Sequence, residues 1–348
     1  IALKKEQQQL LDMGVVKKIT KDQIPAEAKV FDSMMLFTLK RNEAHVIQKG
    51  KSRWVFRGDQ QKDLNQDPGI SFTPSFDSIR LLMAEAAKRK RPLFTGDLPG
   101  AYLYGKPDVP LYMRSPNGLR EQDEEGNDIY YRVDGNMYGK INSCSVYLEF
   151  LVAWMMDRGW VQNPRDPACF HRDGAKVCIY IDDIIGFCDS DEEEVVLKKE
   201  FEDFFGDCKF QLPSMYLGCN VYQDTKTMSV HISNQTLIEK LAKRFIPDFD
   251  LTSKHVIRTP FPNNRADKGV YVNKRDCPNL EAGESKIDKP YREILGAINY
   301  CVTCSRPDLQ VYLMQLAKVA ENPGLRHFEL ALHLLKYAVT SRDYGITY

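Results

Sequence analysis

The chain has 348 residues, is 43% apolar, and carries 48 basic and 48 acidic side chains that cancel to zero formal charge. That length exceeds what one core normally serves and predicts two or three subdomains, while zero net charge removes any global electrostatic argument for a polyanionic partner. No apolar run is long enough to span a membrane, no secretory signal opens the chain at Ile1-Ala2-Leu3-Lys4-Lys5, and nine irregularly spaced cysteines fit a reducing compartment rather than a disulfide framework. A start without Met leads us to expect a piece of something longer.

In chain order, residues near 5–13 predict a short helix, and 31–57 alternate as two strands, Met34 to Leu39 and Ser52 to Phe56. The second strand lies in a locally basic stretch from Lys40 to Lys62, and Lys88-Arg89-Lys90-Arg91 forms another basic cluster. Ser78 to Lys90 reads as an amphipathic helix with Ile79, Leu82, Met83 and Ala86 on one face, followed by a strand from Pro92 to Thr95 that ends at Gly96-Asp97. The acidic run Glu121 to Asp128 predicts a solvated hairpin tip, and Val146 to Asp157 a helix. Two strands flank Tyr180, and Asp189 to Glu194 opens a helix whose first turn suits carboxylates. Tyr216 to Val221 and Met228 to Ile232 predict a second hairpin across Gln223-Asp224-Thr225-Lys226. From Asn234 onward the pattern is mainly helical, broken by a polar, Pro-rich stretch near 258–290, and we place a boundary near residue 233.

The most informative element is Tyr180-Ile181-Asp182-Asp183, set between the apolar runs Val177-Cys178-Ile179 and Ile184-Ile185-Gly186-Phe187. Two buried strands would carry an adjacent Asp pair to a tight, exposed turn. Side by side the carboxylates repel, a penalty that divalent cations remove. Asp97, projected from a strand end by the following Leu98-Pro99-Gly100, becomes a third carboxylate if that strand neighbours the hairpin. Two Mg²⁺ ions bridging three carboxylates could activate a primer 3′-hydroxyl and stabilise departing pyrophosphate, the two-metal scheme of a nucleotidyltransferase palm. Cys301-Val302-Thr303-Cys304 is set aside as a zinc site, because no second pair follows at ligand spacing and the stretch reads as helix.

The ordered series of motifs resembles the reverse transcriptase of copia-type (Pseudoviridae) LTR retrotransposons over nearly the whole chain. The carriers are Lys51-Ser52-Arg53-Trp54-Val55-Phe56-Arg57-Gly58, Ser71-Phe72-Thr73-Pro74, Asp97 to Gly105, Tyr138-Gly139, Tyr180 to Asp183 and Tyr216-Leu217-Gly218. They continue with Tyr291-Arg292, Leu295-Gly296, Arg306-Pro307-Asp308 and Asp343-Tyr344-Gly345. The resemblance implies an α+β right-hand polymerase with fingers, a palm built on an antiparallel sheet with a YxDD hairpin, and a helical thumb. It assigns 1–95 to the first part of the fingers, 96–105 to the first Asp motif of the palm, and 106–165 to the second part of the fingers and a palm helix. Residues 166–233 become the palm with YxDD hairpin and primer grip, and 234–348 a thumb and connection-like helical region.

Carried over by position, Asp97, Asp182 and Asp183 resemble the catalytic carboxylates. Asp97 and Asp182 would be direct ligands of two Mg²⁺ ions (or Mn²⁺), Asp183 a support, and the Leu98 carbonyl a further ligand. Arg53, with Lys51 as alternative, resembles the fingers cation that folds over an incoming triphosphate, a task suited to a guanidinium. Tyr102 resembles the aromatic gate that excludes a ribose 2′-hydroxyl, and Asn142 replaces a glutamine at the nucleotide site. Tyr216, Leu217 and Gly218 resemble the primer grip, and Lys240, Lys243 and Arg244 would track the phosphates of an A-form RNA–DNA hybrid.

The chain departs from the family pattern YGLKQAPR-x-W, reading Lys140-Ile141-Asn142-Ser143-Cys144-Ser145-Val146-Tyr147 after Tyr138-Gly139. Implied partners are an RNA template, a DNA or RNA primer, their hybrid and dNTPs, with protease, integrase and RNase H as polyprotein neighbours, no membrane, and a dimer left open. Implied location is the cytoplasm, in virus-like particles, with nuclear access also open. No RNase H domain is expected before Tyr348, hence polymerisation without template degradation. Two alternatives remain: a domesticated fold serving as a nucleic-acid-binding scaffold, and a terminal transferase or RNA-templated RNA synthesis on the same palm.

Overall fold

The computed structural model describes residues 2–41, 47–64, 69, 71–106, 109–250, 257–262 and 272–348. Of the basic stretch Lys40 to Lys62, the side chains of Lys40, Arg41 and Lys62 lie outside the described residues, as does part of the Pro-rich stretch, 263–271. The elements run α1 (Ala2–Asp12), β1 (Val16–Ile19), β2 (Val30–Phe31), β3 (Ser33–Arg41), β4 (Ile47–Phe56), α2 (Phe76–Arg89), β5 (Leu93–Asp97), β6 (Leu111–Arg114), β7 (Tyr130–Val133) and α3 (Ser143–Asp157). They continue β8 (Val161–Gln162), β9 (Cys169–Arg172), β10 (Ala175–Tyr180), β11 (Asp183–Cys188), α4 (Asp191–Phe205), β12 (Met215–Tyr216), β13 (Cys219–Gln223) and β14 (Val230–Ser233). The last are α5 (Gln235–Phe245), α6 (Tyr291–Cys304), α7 (Gln310–Ala317), α8 (Leu325–Thr340) and β15 (Gly345–Thr347). This is a mixed helix-and-sheet, α+β chain.

Two compact units emerge, neither contiguous in sequence. The first comprises Ile1–Ser75, Gly96–Ile184 and Asp191–Phe210, the second Phe76–Thr95, Ile185–Ser190 and Gln211–Tyr348. A five-stranded sheet is ordered β5-β11-β10-β9-β8. The burial pattern of β11, with Ile184 to Cys188 all buried, matches a strand covered on both faces, which is why its sequence is a continuous apolar run.

In the first unit a four-stranded sheet, β1-β7-β6-β2, and the ribbon β3-β4 share a core of Leu10, Phe31, Trp54, Phe56, Met113 and Tyr131. Arg53 and Lys51 are exposed while Ser52, Trp54 and Phe56 are buried, the alternation of a half-covered strand. The far end of β4 is zipped to a later loop: the Phe56 N–H donates to the Tyr138 carbonyl at 2.8 Å. Gly139 is needed there, since its φ is 90° and a Cβ would fall 2.2 Å from the Phe56 carbonyl oxygen.

In the second unit, α5 to α8 surround an apolar core that includes Ile238, Tyr291, Ile298, Leu316, Leu334 and Leu335. Arg306, fully buried, pairs with Asp308 at 2.8 Å and donates to the Ser341 carbonyl at 3.0 Å, so the Arg-Pro-Asp motif ties the turn after α6 to the end of α8. One expectation fails here. Tyr216 to Val221 is not one strand: β12 ends at Tyr216, Leu217 (φ 47°) and Gly218 (φ 76°) reverse the chain, and β13 pairs back on β12. After Asn234 the described chain is mainly helical, as expected, and it closes with β15, which adds to β14 in the sheet β12-β13-β14-β15, with Ser233 opposite Gly345. Helix α3 also starts at Ser143, earlier than Val146. The cysteines are all free thiols, and Cys301 and Cys304 are buried within α6.

Candidate active site

Strands β10 and β11 are joined by a two-residue turn, Ile181-Asp182, which puts Asp182 at the tip and Asp183 at the first position of β11. Asp97 ends β5, with Gly96 before it; a Cβ on Gly96 would meet the Phe210 ring at 2.8 Å, so the close approach favours glycine. Two backbone hydrogen bonds hold this strand end. The Asp97 N–H donates to the Cys208 carbonyl at 2.8 Å, and the Leu98 N–H to the Asp182 carbonyl at 2.7 Å. The second bond clips the strand that bears one carboxylate to the turn that bears the others.

Electrostatics report the same proximity. The Asp183 carboxyl is pushed up to about 6, first by burial, then by the charge of Asp182 and of Asp97. Among the described residues no group of three or more His, Cys, Asp or Glu side chains is set closely enough to hold a metal ion, so the three carboxylates share a neighbourhood rather than a closed cage. The Leu98 carbonyl accepts the Ala101 N–H at 3.2 Å, which leaves its second lone pair.

The nucleotide-site candidates fall into one group within the first unit. Arg53 lies over the Tyr138 ring at 5.1 Å, and Tyr138 also stacks on Tyr102, centroids 5.0 Å apart and planes within 2°. Burial raises the Tyr138 phenol; Arg53 opposes that, while Glu6, Asp182 and Asp97 reinforce it. The Tyr102 hydroxyl bonds Cys144 Sγ at 3.0 Å, and burial with that thiol drives the Tyr102 phenol well up. Asn142 precedes α3 with its Oδ1 buried and without a hydrogen-bond partner among the described residues.

Three side chains absent from the sequence-derived set contact it. Glu6, from α1, accepts the Trp54 N–H at 3.2 Å; burial raises its carboxyl, and Lys51 and Arg53 pull it back. Nothing local in the sequence signals this, since the contact spans nearly fifty positions. Tyr138 was legible as a landmark but not as a stacking partner. Tyr147 of α3, fully buried, donates from its hydroxyl to the Ile181 carbonyl at 2.5 Å.

The primer-grip and hybrid candidates lie in the second unit. Tyr216 is buried, and the Tyr300 hydroxyl of α6 donates to the Leu217 carbonyl at the left-handed turn. Lys240, Lys243 and Arg244 are exposed on α5, opposite buried Ile238, Leu241 and Ala242, and the Arg244 guanidinium pairs with Glu293.

A family model described as reverse transcriptase (RNA-dependent DNA polymerase) matches residues 17–263. Among curated relatives, a retrovirus-related Pol polyprotein from transposon TNT 1-94 of Nicotiana tabacum is 20% identical over 97% of this chain and 25% of its own length. A putative transposon Ty5-1 protein of Saccharomyces cerevisiae is 22% identical over 72% of this chain and 78% of its own length. A retrovirus-related Pol polyprotein from transposon RE2 of Arabidopsis thaliana is 24% identical over 92% of this chain and 21% of its own length. The chain therefore spans about a quarter of the first of these relatives.

Proposed function

Because the chain belongs to the reverse transcriptase (RNA-dependent DNA polymerase) family, we propose that it extends a primer with dNTPs on an RNA or DNA template, with Asp97, Asp182 and Asp183 at the reacting centre. RNA-directed DNA polymerisation is the activity, and the copia-type resemblance agrees with the transposon relatives. The observation that carries the site reading is the 2.7 Å bond from the Leu98 N–H to the Asp182 carbonyl, which joins the two carboxylate-bearing segments.

The chemistry of these residues suits a divalent cation, which would draw the carboxylates closer than they stand here. The donors are hard oxygens, and burial, with the added charges of Asp182 and Asp97, raises Asp183, a cost that a bound cation would relieve. Asp97 and Asp182, with the Leu98 carbonyl, would hold two Mg²⁺ ions (Mn²⁺ as a substitute), and Asp183 would support them. When bound, such ions supply Lewis acidity at a primer 3′-hydroxyl and at the departing pyrophosphate. The side chains around them bind and orient. Arg53, with Lys51 beside it, would neutralise the triphosphate, and Tyr138 fixes the approach of that guanidinium. Tyr102 would crowd a ribose 2′-position, and Asn142 offers its buried Oδ1 to the nucleotide site.

In this reading 1–95 and 106–165 contribute fingers, with the palm helix in the second stretch; 96–105 and 166–233 form the palm, and 234–348 the thumb and connection-like region. Tyr216, Leu217 and Gly218 would seat the primer terminus, and Lys240 and Lys243, with Arg244 once released from Glu293, would follow hybrid phosphates. An RNA template, its primer and the Pol polyprotein context are the partners, with virus-like particles as the setting.

Primer extension with Mg²⁺ and dNTPs on an annealed RNA template, beside Asp182→Asn, tests the reading. Product from the parent and none from the variant is expected. No product from either, with hybrid binding retained, would favour a nucleic-acid-binding scaffold.

A further inference from the structure

The turn that presents the Asp pair is built on an unfavourable residue. Ile181 has φ 58° while Asp182 does not enter the positive-φ region, the sign pattern of a type II′ hairpin turn, whose first central position is ordinarily glycine. A β-branched side chain there is a genuine outlier, and such a conformation persists only when its surroundings over-determine it. The surroundings do so at two successive carbonyls: Ile181 O receives the Tyr147 hydroxyl at 2.5 Å, and Asp182 O receives the Leu98 N–H at 2.7 Å. The ring of Tyr147 is fully buried, at 0% exposure, on α3. It also touches Tyr102, centroids 6.1 Å apart.

We infer that Tyr147 is a positioning residue: its hydroxyl locks the strained Ile181-Asp182 turn and thereby sets where Asp182 and Asp183 point. The inference deepens the polymerase reading and rests on it for its consequence in catalysis, but the lock itself is a property of the fold. Burial and the neighbouring Asp182 charge keep the phenol protonated, so the donor is available throughout the working pH range.

The test is a double-mutant cycle of Tyr147→Phe and Ile181→Gly, read by amide hydrogen exchange at Leu98 and by single-turnover dNTP incorporation. In the parent background Tyr147→Phe should speed Leu98 exchange and slow incorporation, each about tenfold, with hybrid affinity and the KM for dNTP unchanged. In the Ile181→Gly background, where the turn no longer needs an anchor, the same change should alter neither. Equal effects of Tyr147→Phe in both backgrounds, or none on exchange in the parent, would overturn the inference. If Tyr147→Phe alone does not fold, Tyr147→Phe/Ile181→Gly must; failure of both overturns it as well. Coupled exchange in a protein that incorporates no nucleotide would instead sink the polymerase reading and leave the lock standing.

Discussion

Asp183 carries the clearest electrostatic consequence of the site. A carboxyl whose folded value is raised contributes stability that is complete below its unfolded value, about 4, and that is lost as pH rises through about 6. The metal-free protein should therefore weaken across that window, and Asp183→Asn should raise its melting temperature above pH 6 but not at pH 4. Thermal melts in EDTA at three pH values check this, and saturating Mg²⁺ should narrow the difference, because cation and proton compete for the same oxygens. Parallel melting curves for parent and variant would contradict it. At Arg53 the expectation is kinetic: Arg53→Ala should raise the KM for dNTP about tenfold, roughly 1.4 kcal/mol, with a smaller change in kcat. Steady-state incorporation measures it. At this scale the three aspartates stood out in the sequence as candidates, because charge in an apolar run, or at a strand end before Pro-Gly, is conspicuous, whereas Arg53 came only through the family resemblance. Glu6 and Tyr147 were not, since each acts across the fold on a backbone group, and neither residue type marks its own partner.

Elements decide how well those side chains are held. The end of β4 and the Tyr138-Gly139 loop approach backbone to backbone, and Gly139→Ala would set a methyl against the Phe56 carbonyl at a φ of 90°. A loss of about 2 kcal/mol is expected, measured by urea unfolding, with a weaker Arg53 effect in the same background because the ribbon is no longer registered to Tyr138. On α5, Lys240→Ala and Lys243→Ala should each lower the salt dependence of hybrid binding by about one ion, whereas Arg244→Ala should do less, being already paired with Glu293. Binding titrations over a range of salt concentrations give the slopes. Helix α2 was legible from its periodicity, its ends falling within two residues of expectation. The turn at Leu217-Gly218 was not, because a single left-handed pair interrupts an otherwise strand-like run. Strand β15 escaped for a different reason: three residues carry no periodicity, and their pairing with β14 is long-range.

Across the whole chain, balanced charge concealed a strongly patterned molecule. Each compact unit draws on three separate stretches of sequence, so no composition shift along the chain reveals them. The second unit depends on its own helical core, and Leu334→Ala, at a fully buried position, should cost about 2–5 kcal/mol by denaturant unfolding. The family, by contrast, was readable before any coordinate, because an ordered series of motifs over nearly the full length is far more specific than any one of them. The claim on which everything else turns is that Asp97 and the Asp182–Asp183 pair, far apart in sequence, act as one centre. Single-turnover nucleotide incorporation on an RNA template by Asp97→Asn, Asp182→Asn and the double variant tests it most directly. Each single change should cost about a hundredfold or more, and the double should cost no more than the worse of the two, as for residues that act as a unit. Losses that simply multiply in the double variant would contradict a shared centre.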